Sequence, residues 1–418
     1  MIPSPALRLC HQRPTPESDL NSALNRLQPY PFERLSQLLD GIQPPLGQAV
    51  IRMSIGEPRH PAPPELVHLL QSACRDLGSY PTARGETGLR EAITAWLIRR
   101  FSLGFSSIDP EHQVLPLSGT REGLFAIAQT VVEPRSDAIV VIPNPFYQIY
   151  EGAALLSGAE PFFLNTIASR GFIPDLDKVP DPIWKRCQLI YLCSPGNPTG
   201  MALSLDFYRQ IFRLSDHYGF VIAADECYSE LYNDQDQPPL GALEAAHRLG
   251  RDSFERLVVF HSLSKRSSVP GLRSGFAAGD ARLMERFYRY RTYHGCALPI
   301  PVQKASTWAW QDEKHVHENR ILYRKKFEIA TRLFGPNLPY DPPDGGFYLW
   351  SRVSGNDEVF ARRLYAEKGV VVLPGSYLSR LTPEGNPGLG HVRISLVPDL
   401  ETTREALSRI AEFLADLP

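Results

Sequence analysis

The amino-acid sequence predicts an α/β protein with two domains: a large one with a mostly parallel central sheet flanked by helices, and a smaller α+β one. Short β-rich runs alternate with helical spacings from about Pro63 to Gly279, whereas a long charged helix and a mixed set of strands and helices follow Pro301. The length of 418 residues exceeds that of a typical single domain, so more than one hydrophobic core is expected.

The strands predicted for the large domain lack sustained polar alternation, which is typical of strands covered on both faces. They span residues 114–117, 138–142, 188–193, 220–224, 257–260 and 274–278. Between two of them, Ser204 is expected to cap a helix and Gly219 to end it, because the apolar residues between them recur at intervals of three and four. Strand, helix and strand in this order predict ligands at the carboxyl ends of the strands.

The C-terminal part predicts a second set of elements. They are helices over residues 313–334, 358–368 and 401–417, and strands over residues 346–350, 370–373 and 392–396. An interrupted helix is expected over residues 24–39. The chain therefore divides into a flexible, Pro-rich extension (1–22), an N-terminal arm joining the small domain (23–60), the large domain (61–310), and an interdomain helix with the small domain (311–418).

The composition argues against several classes of protein. A formal net charge of -2 lacks the basic excess of a duplex-binding domain, so nucleic acid is not expected as a partner. The six cysteines form no CxxC pair and show no zinc-type spacing, which favours free thiols in a reducing compartment and no metal. The apolar runs are too short for a membrane span, and the N-terminus lacks a continuous apolar segment. The cytoplasm is the expected location.

Three segments place reactive side chains after predicted strands. SPGNPTG presents Asn197 in a tight loop, AADECYSEL puts Asp225 at the end of an apolar strand with Tyr228 three residues later, and HSLSKRSSVPGLRSGF holds Lys265 and Arg273 among serines. A lysine near other cations and away from water favours its neutral, nucleophilic form, and a buried carboxylate needs a cationic partner. Taken singly, each segment also has an interpretation without function. The first could be a turn, the second a helix N-cap and the third a basic surface loop.

The order and spacing of these segments resemble those of the class I/II group of fold-type I aminotransferases, which use pyridoxal 5'-phosphate (PLP). SPGNPTG is similar to that family's Asn-Pro loop, DECYSEL to its Asp-x-x-Tyr element and SLSKRSSVPGLRSGF to its lysine segment. The resemblance extends over nearly the whole chain from about Leu24 and implies a fold-type I PLP-transferase, with residues 61–310 as the PLP-binding domain. It also implies an enzyme whose substrates are amino acids and 2-oxo acids.

For the reacting groups, the resemblance implies distinct roles. Lys265 is expected to condense with the aldehyde of the cofactor and then to carry the substrate proton. Asp225 is expected to keep the ring nitrogen protonated, and Tyr228 and Asn197 to hydrogen-bond the phenolic oxygen of the ring. Arg393, in HVRISL, resembles the family's arginine for the substrate carboxylate, a group that suits a planar guanidinium.

The resemblance also implies a phosphate seat and three further contacts. The expected phosphate ligands are Ser262, Ser264 and Arg273, together with Gly119, Thr120 and Arg121 at a helix N-terminus. Phe146 is expected to stack on the ring, and the backbone of Gly56 to face the substrate. Tyr80 matches the tyrosine that reaches the phosphate of the neighbouring subunit, which implies a homodimer with shared active sites.

Longer segments, such as IGEPRHPAP and YRTYHGCALPIPVQ, are similar to those of the succinyldiaminopimelate transaminases within this family. The likeness implies exchange of an amino group between N-succinyl-LL-2,6-diaminopimelate and 2-oxoglutarate, in lysine and diaminopimelate biosynthesis. That substrate carries three carboxylates, so donors beyond Arg393 are needed. The candidates are Arg34, Arg59, Arg84 and Arg121, each of which could equally be a surface or structural arginine.

Other functions use the same machinery. A general aspartate, aromatic or alanine aminotransferase, or a PLP lyase that cleaves a C–S bond, would need the same lysine and aspartate. A PLP-binding regulatory domain without turnover belongs to another class, and such regulators typically carry an N-terminal DNA-binding domain. Here about 22 polar residues precede the first expected helix. The reactive groups taken together favour an active aminotransferase.

Overall fold

The α/β prediction is confirmed by a computed structural model that describes residues 21–104, 107–135 and 137–416. Nearly all of the extension predicted over residues 1–22 lies outside the described residues. The helices are α1 (Pro31–Leu38), α2 (Pro64–Ser72), α3 (Thr87–Arg100), α4 (Thr120–Val131), α5 (Ile149–Leu156), α6 (Asp181–Trp184), α7 (Leu205–Tyr218), α8 (Ala242–Arg248), α9 (Leu263–Arg266), α10 (Ala281–His294), α11 (Ile300–Gln311), α12 (Lys314–Phe334), α13 (Asp357–Lys368) and α14 (Leu400–Ala415). The strands are β1 (Ile51–Arg52), β2 (Val114–Leu117), β3 (Ile139–Asn144), β4 (Glu160–Asn165), β5 (Cys187–Cys193), β6 (Val221–Asp225), β7 (Leu257–Ser262), β8 (Gly275–Gly279), β9 (Tyr348–Arg352), β10 (Val370–Val371), β11 (Leu373–Pro374) and β12 (His391–Ser395).

Seven strands form the main sheet, in the order β2-β8-β7-β6-β5-β3-β4. Within this sheet, β8 runs antiparallel to both of its neighbours, and the other pairs are parallel. The six strands other than β8 therefore point the same way, and their carboxyl ends meet at one edge of the sheet. This is the edge at which ligands bind in open α/β sheets.

Alternate residues of the central strands face two separate helix layers. On β7, Leu257 and Val259 pack into a core with α3, α7 and α11, whereas Val258 and Phe260 pack into a core with α4, α5 and α10. Because both faces are covered, each residue of the strand is buried, and its first four residues form a continuous apolar run in the sequence.

A further core lies around α12, α13, α14 and two small sheets. Strands β11, β12 and β9 form an antiparallel sheet, and β1 pairs in parallel with β10. The prediction of one strand over residues 370–373 is wrong, because Val372 separates β10 and β11, which belong to different sheets. We propose that this core marks the small domain, that residues 23–60 join it, and that residues 61–310 form the large one.

Some local predictions differ from the structure. The interrupted helix over residues 24–39 is a short 3-10 turn at Ser22–Arg26 followed by α1, which begins at Pro31. Strand β4 has no predicted counterpart, because it lies at the sheet edge and most of its side chains are partly exposed. Tyr228 lies on a turn rather than in the first turn of a helix.

The structure also describes the cysteines and the helices, for which the composition predicted free thiols and no membrane span. In the described part of the chain Cys74, Cys187, Cys193, Cys227 and Cys296 are free thiols, and Cys10 lies outside it. Across the described ranges, no helix combines the length and the apolar character needed to cross a bilayer.

Candidate active site

The carboxyl ends of β5, β6 and β7 open into a cavity of about 720 Å³. The loop after β5 carries Asn197, β6 ends at Asp225, and β7 leads directly into α9 with Lys265. The predicted site residues on the wall are Gly56, Thr120, Arg121, Asn197, Asp225, Tyr228, Ser262, Ser264, Lys265, Arg273 and Arg393. Lys265 and Asp225 thus face the same cavity, although they come from different strands.

The amine of Lys265 is held against backbone of the N-terminal arm. Its Nζ donates to the Gly56 carbonyl at 2.6 Å and lies 5.4 Å from the centroid of the Phe347 ring. Burial lowers the pKa of Lys265 to about 8; Arg393 acts in the same direction, and Asp225 opposes it. A substantial neutral fraction is therefore present near pH 8, and the neutral amine is the form that attacks an aldehyde.

The carboxylate of Asp225 is buried at the end of β6. The residue is 4 % exposed; its Oδ2 accepts from the Tyr150 hydroxyl at 2.7 Å, and its Oδ1 from the Cys227 backbone N–H at 3.2 Å. Burial raises the pKa of the Asp225 carboxyl, and these hydrogen bonds oppose the rise. Since both donors are neutral, a cationic group in the cavity would stabilise the ionised carboxylate further.

The guanidinium of Arg393 is buried but has few partners. It is 4 % exposed, donates from Nη1 to Asn197 Oδ1 at 2.9 Å and from Nη2 to the Ser54 carbonyl at 2.7 Å, and lies over the Tyr348 ring. Its Nε is buried and has no hydrogen-bond partner within the described residues. The contacts are neutral, so the charge and the unused N–H donors of Arg393 are available to an anion.

Two tyrosines, Tyr228 and Tyr348, close one side of the cavity. Their hydroxyl oxygens lie 3.0 Å apart, and burial raises the pKa of both phenols, which keeps them protonated. A Cβ at Gly56 would collide with the Tyr348 hydroxyl, so this position requires glycine because of the close approach. Tyr348 lies on the wall without having been a candidate, because GGFYLW carries no pattern that separates it from a core aromatic.

The first turn of α4 and the segment after β7 form a cationic, donor-rich corner. Gly119 precedes α4 with φ 84°, and a Cβ there would collide with the guanidinium of Arg273. Arg273 donates to the Pro270 carbonyl at 3.0 Å, and the Ser264 N–H donates to the Ser262 hydroxyl at 3.1 Å. Backbone N–H groups at a helix N-terminus beside an arginine suit a phosphate.

Phe146 does not line this cavity, so the expectation that it stacks on the cofactor ring is wrong. It is 2 % exposed and packs against Phe163, with 5.2 Å between ring centroids. The next residue, Tyr147, lines the cavity instead, and its hydroxyl accepts from Arg121 Nε at 2.5 Å. Neighbouring side chains in the segment between β3 and α5 point in different directions, and an aromatic pattern alone does not show which one faces the cavity.

Of the four arginines considered for distal carboxylates, Arg121 alone lies on the described cavity wall. Arg34 and Arg84 lie over tyrosine rings elsewhere, and Arg59 is exposed outside the wall. Tyr80 is also outside it, with a relative exposure of 100 %. A role for Tyr80 at an active site therefore requires a second subunit.

The cavity fits PLP on three features of the chain itself. A buried carboxylate with neutral partners suits a protonated ring nitrogen, a half-buried amine of lowered pKa suits the aldehyde, and the corner that a Cβ at Gly119 would obstruct suits the phosphate. When bound, the cofactor supplies an aldehyde that takes up an amino group and a ring that accepts electron density. This sheet with this set of side chains defines a PLP-dependent enzyme of fold type I.

Comparisons with known proteins agree with that class. The family model "Aminotransferase class I and II" matches residues 48–410. An LL-diaminopimelate aminotransferase of Nitratidesulfovibrio vulgaris (strain DP4) is 30% identical over 399 residues, which cover 94% of this chain and 98% of that protein. Another from Aquifex aeolicus (strain VF5) is 30% identical over 404 residues, with 94% and 98% covered.

Solved structures show the same relationship. An aminotransferase from Neisseria meningitidis Z2491 has a TM-score of 0.91 and 47% identity, covering 94% of this chain and 100% of its own. Aminotransferase AspB from Helicobacter pylori 26695 has a TM-score of 0.86 and 35% identity, with 93% and 99% covered. The chain belongs to the class I and II aminotransferases. It is accordingly a PLP-dependent aminotransferase acting on amino acids and 2-oxo acids.

Proposed function

We propose that this aminotransferase exchanges the amino group between N-succinyl-LL-2,6-diaminopimelate and 2-oxoglutarate. The observation that carries the proposal is the presence of Arg121, Arg273 and Arg393 on one cavity wall. Their hydrogen-bond partners are a tyrosine hydroxyl, a backbone carbonyl, and an asparagine with another carbonyl. Three guanidiniums with neutral partners suit three anions: the cofactor phosphate, the α-carboxylate and a distal carboxylate of the substrate.

In this proposal the reacting atoms lie between Lys265 and Asp225. Lys265 Nζ would accept the proton from the substrate Cα and hold it for the next proton transfer of the same half-reaction. The Asp225 carboxylate would keep the ring nitrogen of the bound cofactor protonated, and Tyr228 and Asn197 would offer hydrogen-bond donors to its phenolic oxygen. Arg393 binds and orients the α-carboxylate that all its amino acid substrates share.

The phosphate would be bound at the corner built by α4 and the lysine segment. Ser262, Ser264 and Arg273 contribute side chains, and Gly119, Thr120 and Arg121 contribute backbone N–H groups of the first helical turn. Tyr147 would replace Phe146 as the aromatic that contacts the ring, because it faces the cavity. The side chain of Arg121 then remains for the substrate.

A second candidate substrate is LL-2,6-diaminopimelate itself, since curated relatives with that activity in their names are 28% to 30% identical to this chain. Its distal end bears an ammonium beside a carboxylate, and the wall offers Glu57 as well as Arg121. The succinylated substrate replaces the ammonium by an amide and two further anionic oxygens at the chain end. Glu57 therefore favours the free substrate, whereas the segments that resemble succinyldiaminopimelate transaminases favour the succinylated one.

The deciding experiment measures kcat/KM of the purified holoenzyme with 2-oxoglutarate and a panel of amino donors. The panel contains the succinylated and the free diaminopimelate, aspartate, alanine and an aromatic amino acid, scored by glutamate release. We expect the succinylated substrate to be preferred. Preference for the free diaminopimelate would transfer the assignment to the second candidate, and preference for alanine, aspartate or the aromatic donor would refute both.

A matched pair of variants tests the distal subsite. Arg121→Gln removes the guanidinium on the wall and is expected to raise KM for the diaminopimelate substrate about tenfold or more, the effect of losing a charged hydrogen bond, while KM for alanine changes little. Arg84→Gln is the control, because Arg84 lies over the Tyr288 ring away from the cavity. An equal loss for alanine in Arg121→Gln would contradict the role of Arg121 at the distal carboxylate.

We also propose a homodimer with shared active sites, located in the cytoplasm. Tyr80 is 100 % exposed and lies off the cavity wall, so the role that the resemblance implies for it needs a second subunit. In the dimer Tyr80 would reach the phosphate bound by the partner chain. The cytoplasmic location rests on the free thiols and on biosynthetic relatives.

A further inference from the structure

The lysine Lys326, on α12, is fully buried and plays no part in the site described above. Its relative exposure is 0 %, and its Nζ lies 2.7 Å from His60 Nε2 and 3.1 Å from the Leu396 carbonyl oxygen. Burial lowers its pKa to about 7, and Asp399 opposes this. A buried amine lowers the stability of the fold unless its N–H groups donate hydrogen bonds. We therefore expect the hydrogen bonds of Lys326 to serve a function.

The chemistry of the acceptors fixes the direction of every hydrogen bond in this cluster. Asn319 faces the backbone carbonyls of Lys265 and Arg266 with Nδ2, at 3.2 and 3.3 Å, and its amide must donate to both. Its Oδ1 is then an acceptor, so His60 Nδ1, 2.6 Å away, carries the proton. The neutral imidazole leaves Nε2 as an acceptor, and Lys326 must donate to it.

The imidazole of His60 is neutral for physical reasons as well. Burial and the adjacent Lys326 lower the pKa of His60 to about 4, while Asn319 and Asp399 oppose this shift. A single tautomer, protonated on Nδ1, therefore persists over the working pH range. The donor order from Lys326 to His60, then Asn319, then the carbonyls of α9, is the same throughout that range.

The hydrogen bonds that run from Lys326 to α9 contact segments that carry active-site groups. The segment that ends in His60 contains Gly56 and Ser54, whose carbonyls accept from Lys265 Nζ and Arg393 Nη2. Lys326 donates to Leu396, in the segment directly after β12, which carries Arg393. The Ser268 hydroxyl also donates to the His60 carbonyl at 2.9 Å, which ties the lysine segment to the same arm.

We propose that Lys326, His60 and Asn319 are positioning residues that hold the backbone of Lys265 in register with Arg393. This proposal rests on the roles proposed above for those two site residues. The hydrogen bonds join the interdomain helix, the N-terminal arm, the end of β12 and α9, so a shift of any one of them changes where the lysine amine lies relative to the bound carboxylate. Lys326, His60 and Asn319 are not on the described cavity wall and touch no substrate.

The test compares the holoenzyme with Lys326→Met and Asn319→Asp. Methionine keeps the apolar stem but has no donor, and aspartate presents oxygen to the two carbonyls. We expect normal cofactor content and colour, a kcat lowered about tenfold or more, and KM within about threefold, the pattern of a misplaced reacting group. A larger primary isotope effect with a Cα-deuterated donor is expected, together with faster amide exchange in residues 53–60 and 262–268.

The matched control is Lys325→Met, an exposed neighbour on the same helix, which is expected to leave all these readouts unchanged. Histidine-selective ¹⁵N spectra of the wild-type holoenzyme give a measurement that does not depend on the folding of a variant. They are expected to show His60 as the neutral Nδ1–H tautomer, with His60→Gln identifying its signal among the 11 histidines.

Several results would overturn the proposal. These are an imidazolium or an Nε2–H tautomer for His60 at pH 7, wild-type kcat with wild-type exchange in either variant, or loss of the cofactor from both variants, which indicates a purely structural role. Failure of the proposed function has a different signature: the wild-type holoenzyme would then prefer alanine, aspartate or the aromatic donor in the donor panel, whatever the positioning variants do.

Discussion

At the scale of single residues, the cavity wall contains three arginine side chains whose hydrogen-bond partners in the protein are neutral. Arg393 contacts an amide and a carbonyl, Arg121 a phenol, and Arg273 a carbonyl. Such guanidiniums bind anions without first breaking an ion pair within the protein. Their full electrostatic attraction therefore contributes to the binding of phosphate and carboxylates. Lys265 differs from them because burial lowers its pKa and makes its amine reactive.

The reactivity of Lys265 in the apoenzyme is expected to follow its lowered pKa. Trinitrobenzenesulfonate reacts with neutral amines, so the labelling rate of Lys265 should rise with pH and level off above about pH 8. Lys304 is an internal control, because its ammonium donates to Asp76 and its pKa is raised. The rates are measured by mass spectrometry of digested samples, and a Lys265 rate that still climbs with that of Lys304 at high pH would contradict the lowered pKa.

The positions of site residues could be predicted from the sequence where a motif follows a strand. Where no motif follows a strand, the sequence did not predict which side chain faces the cavity. Asp225 ends β6 and Lys265 closely follows the neighbouring parallel strand β7, so strand topology alone brings them to one edge. Phe146 and Tyr147 differ by one position in an irregular segment, and no periodicity decides which faces inward. Tyr348 comes from a distant part of the chain, and its contact with Tyr228 depends on tertiary packing.

At the scale of elements, α7 shows how local sequence signals position the site. The Ser204 hydroxyl accepts from the Phe207 N–H at 3.2 Å, and Gly219 ends the helix with φ 85°, as the sequence predicts. The helix connects β5 to β6, which lead to Asn197 and Asp225. Strand order and the reversed direction of β8 carry no comparable local signal, because they depend on contacts between segments far apart in sequence.

Two glycine substitutions are expected to change stability in opposite directions. Gly219→Ala forces a left-handed conformation on alanine and should destabilise the protein by about 1 kcal/mol, although no atom lies within 4 Å of the added Cβ. Gly88→Ala, in α3 with an ordinary φ and equally free space, should stabilise it by up to about 1 kcal/mol. Thermal midpoints of the two holoenzymes measure this. A destabilised Gly88→Ala would contradict the conformational explanation.

At the scale of the whole molecule, the site lies where the large sheet, the N-terminal arm and β12 meet. Gly56 and Arg393 belong to the part that packs with the third core, whereas Lys265 and Asp225 belong to the main sheet. The sequence predicts both parts, since their element patterns differ. Their packing around one cavity follows from long-range contacts such as Arg393 with Asn197, which composition and periodicity do not contain.

Shared active sites predict complementation between two inactive variants. Lys265→Ala and Tyr80→Ala are each expected to have little activity, because one lacks the amine and the other lacks the contribution to the partner's site. In a mixed dimer one site carries both defects and the other carries none, so subunit exchange should restore about a quarter of the wild-type activity. Each variant mixed with itself is the control. No recovery after demonstrated exchange would contradict a site shared through Tyr80.

The central claim, that Lys265 is the lysine joined to the cofactor, is tested most directly by borohydride reduction of the holoenzyme and peptide mapping. Reduction makes the link permanent, and Lys326 is a stringent rival, because it is also buried with a lowered pKa but lies off the cavity wall. We expect the reduced cofactor on the peptide that contains Lys265 and on no other. Its recovery on Lys326 or another lysine would contradict the assignment of the active site.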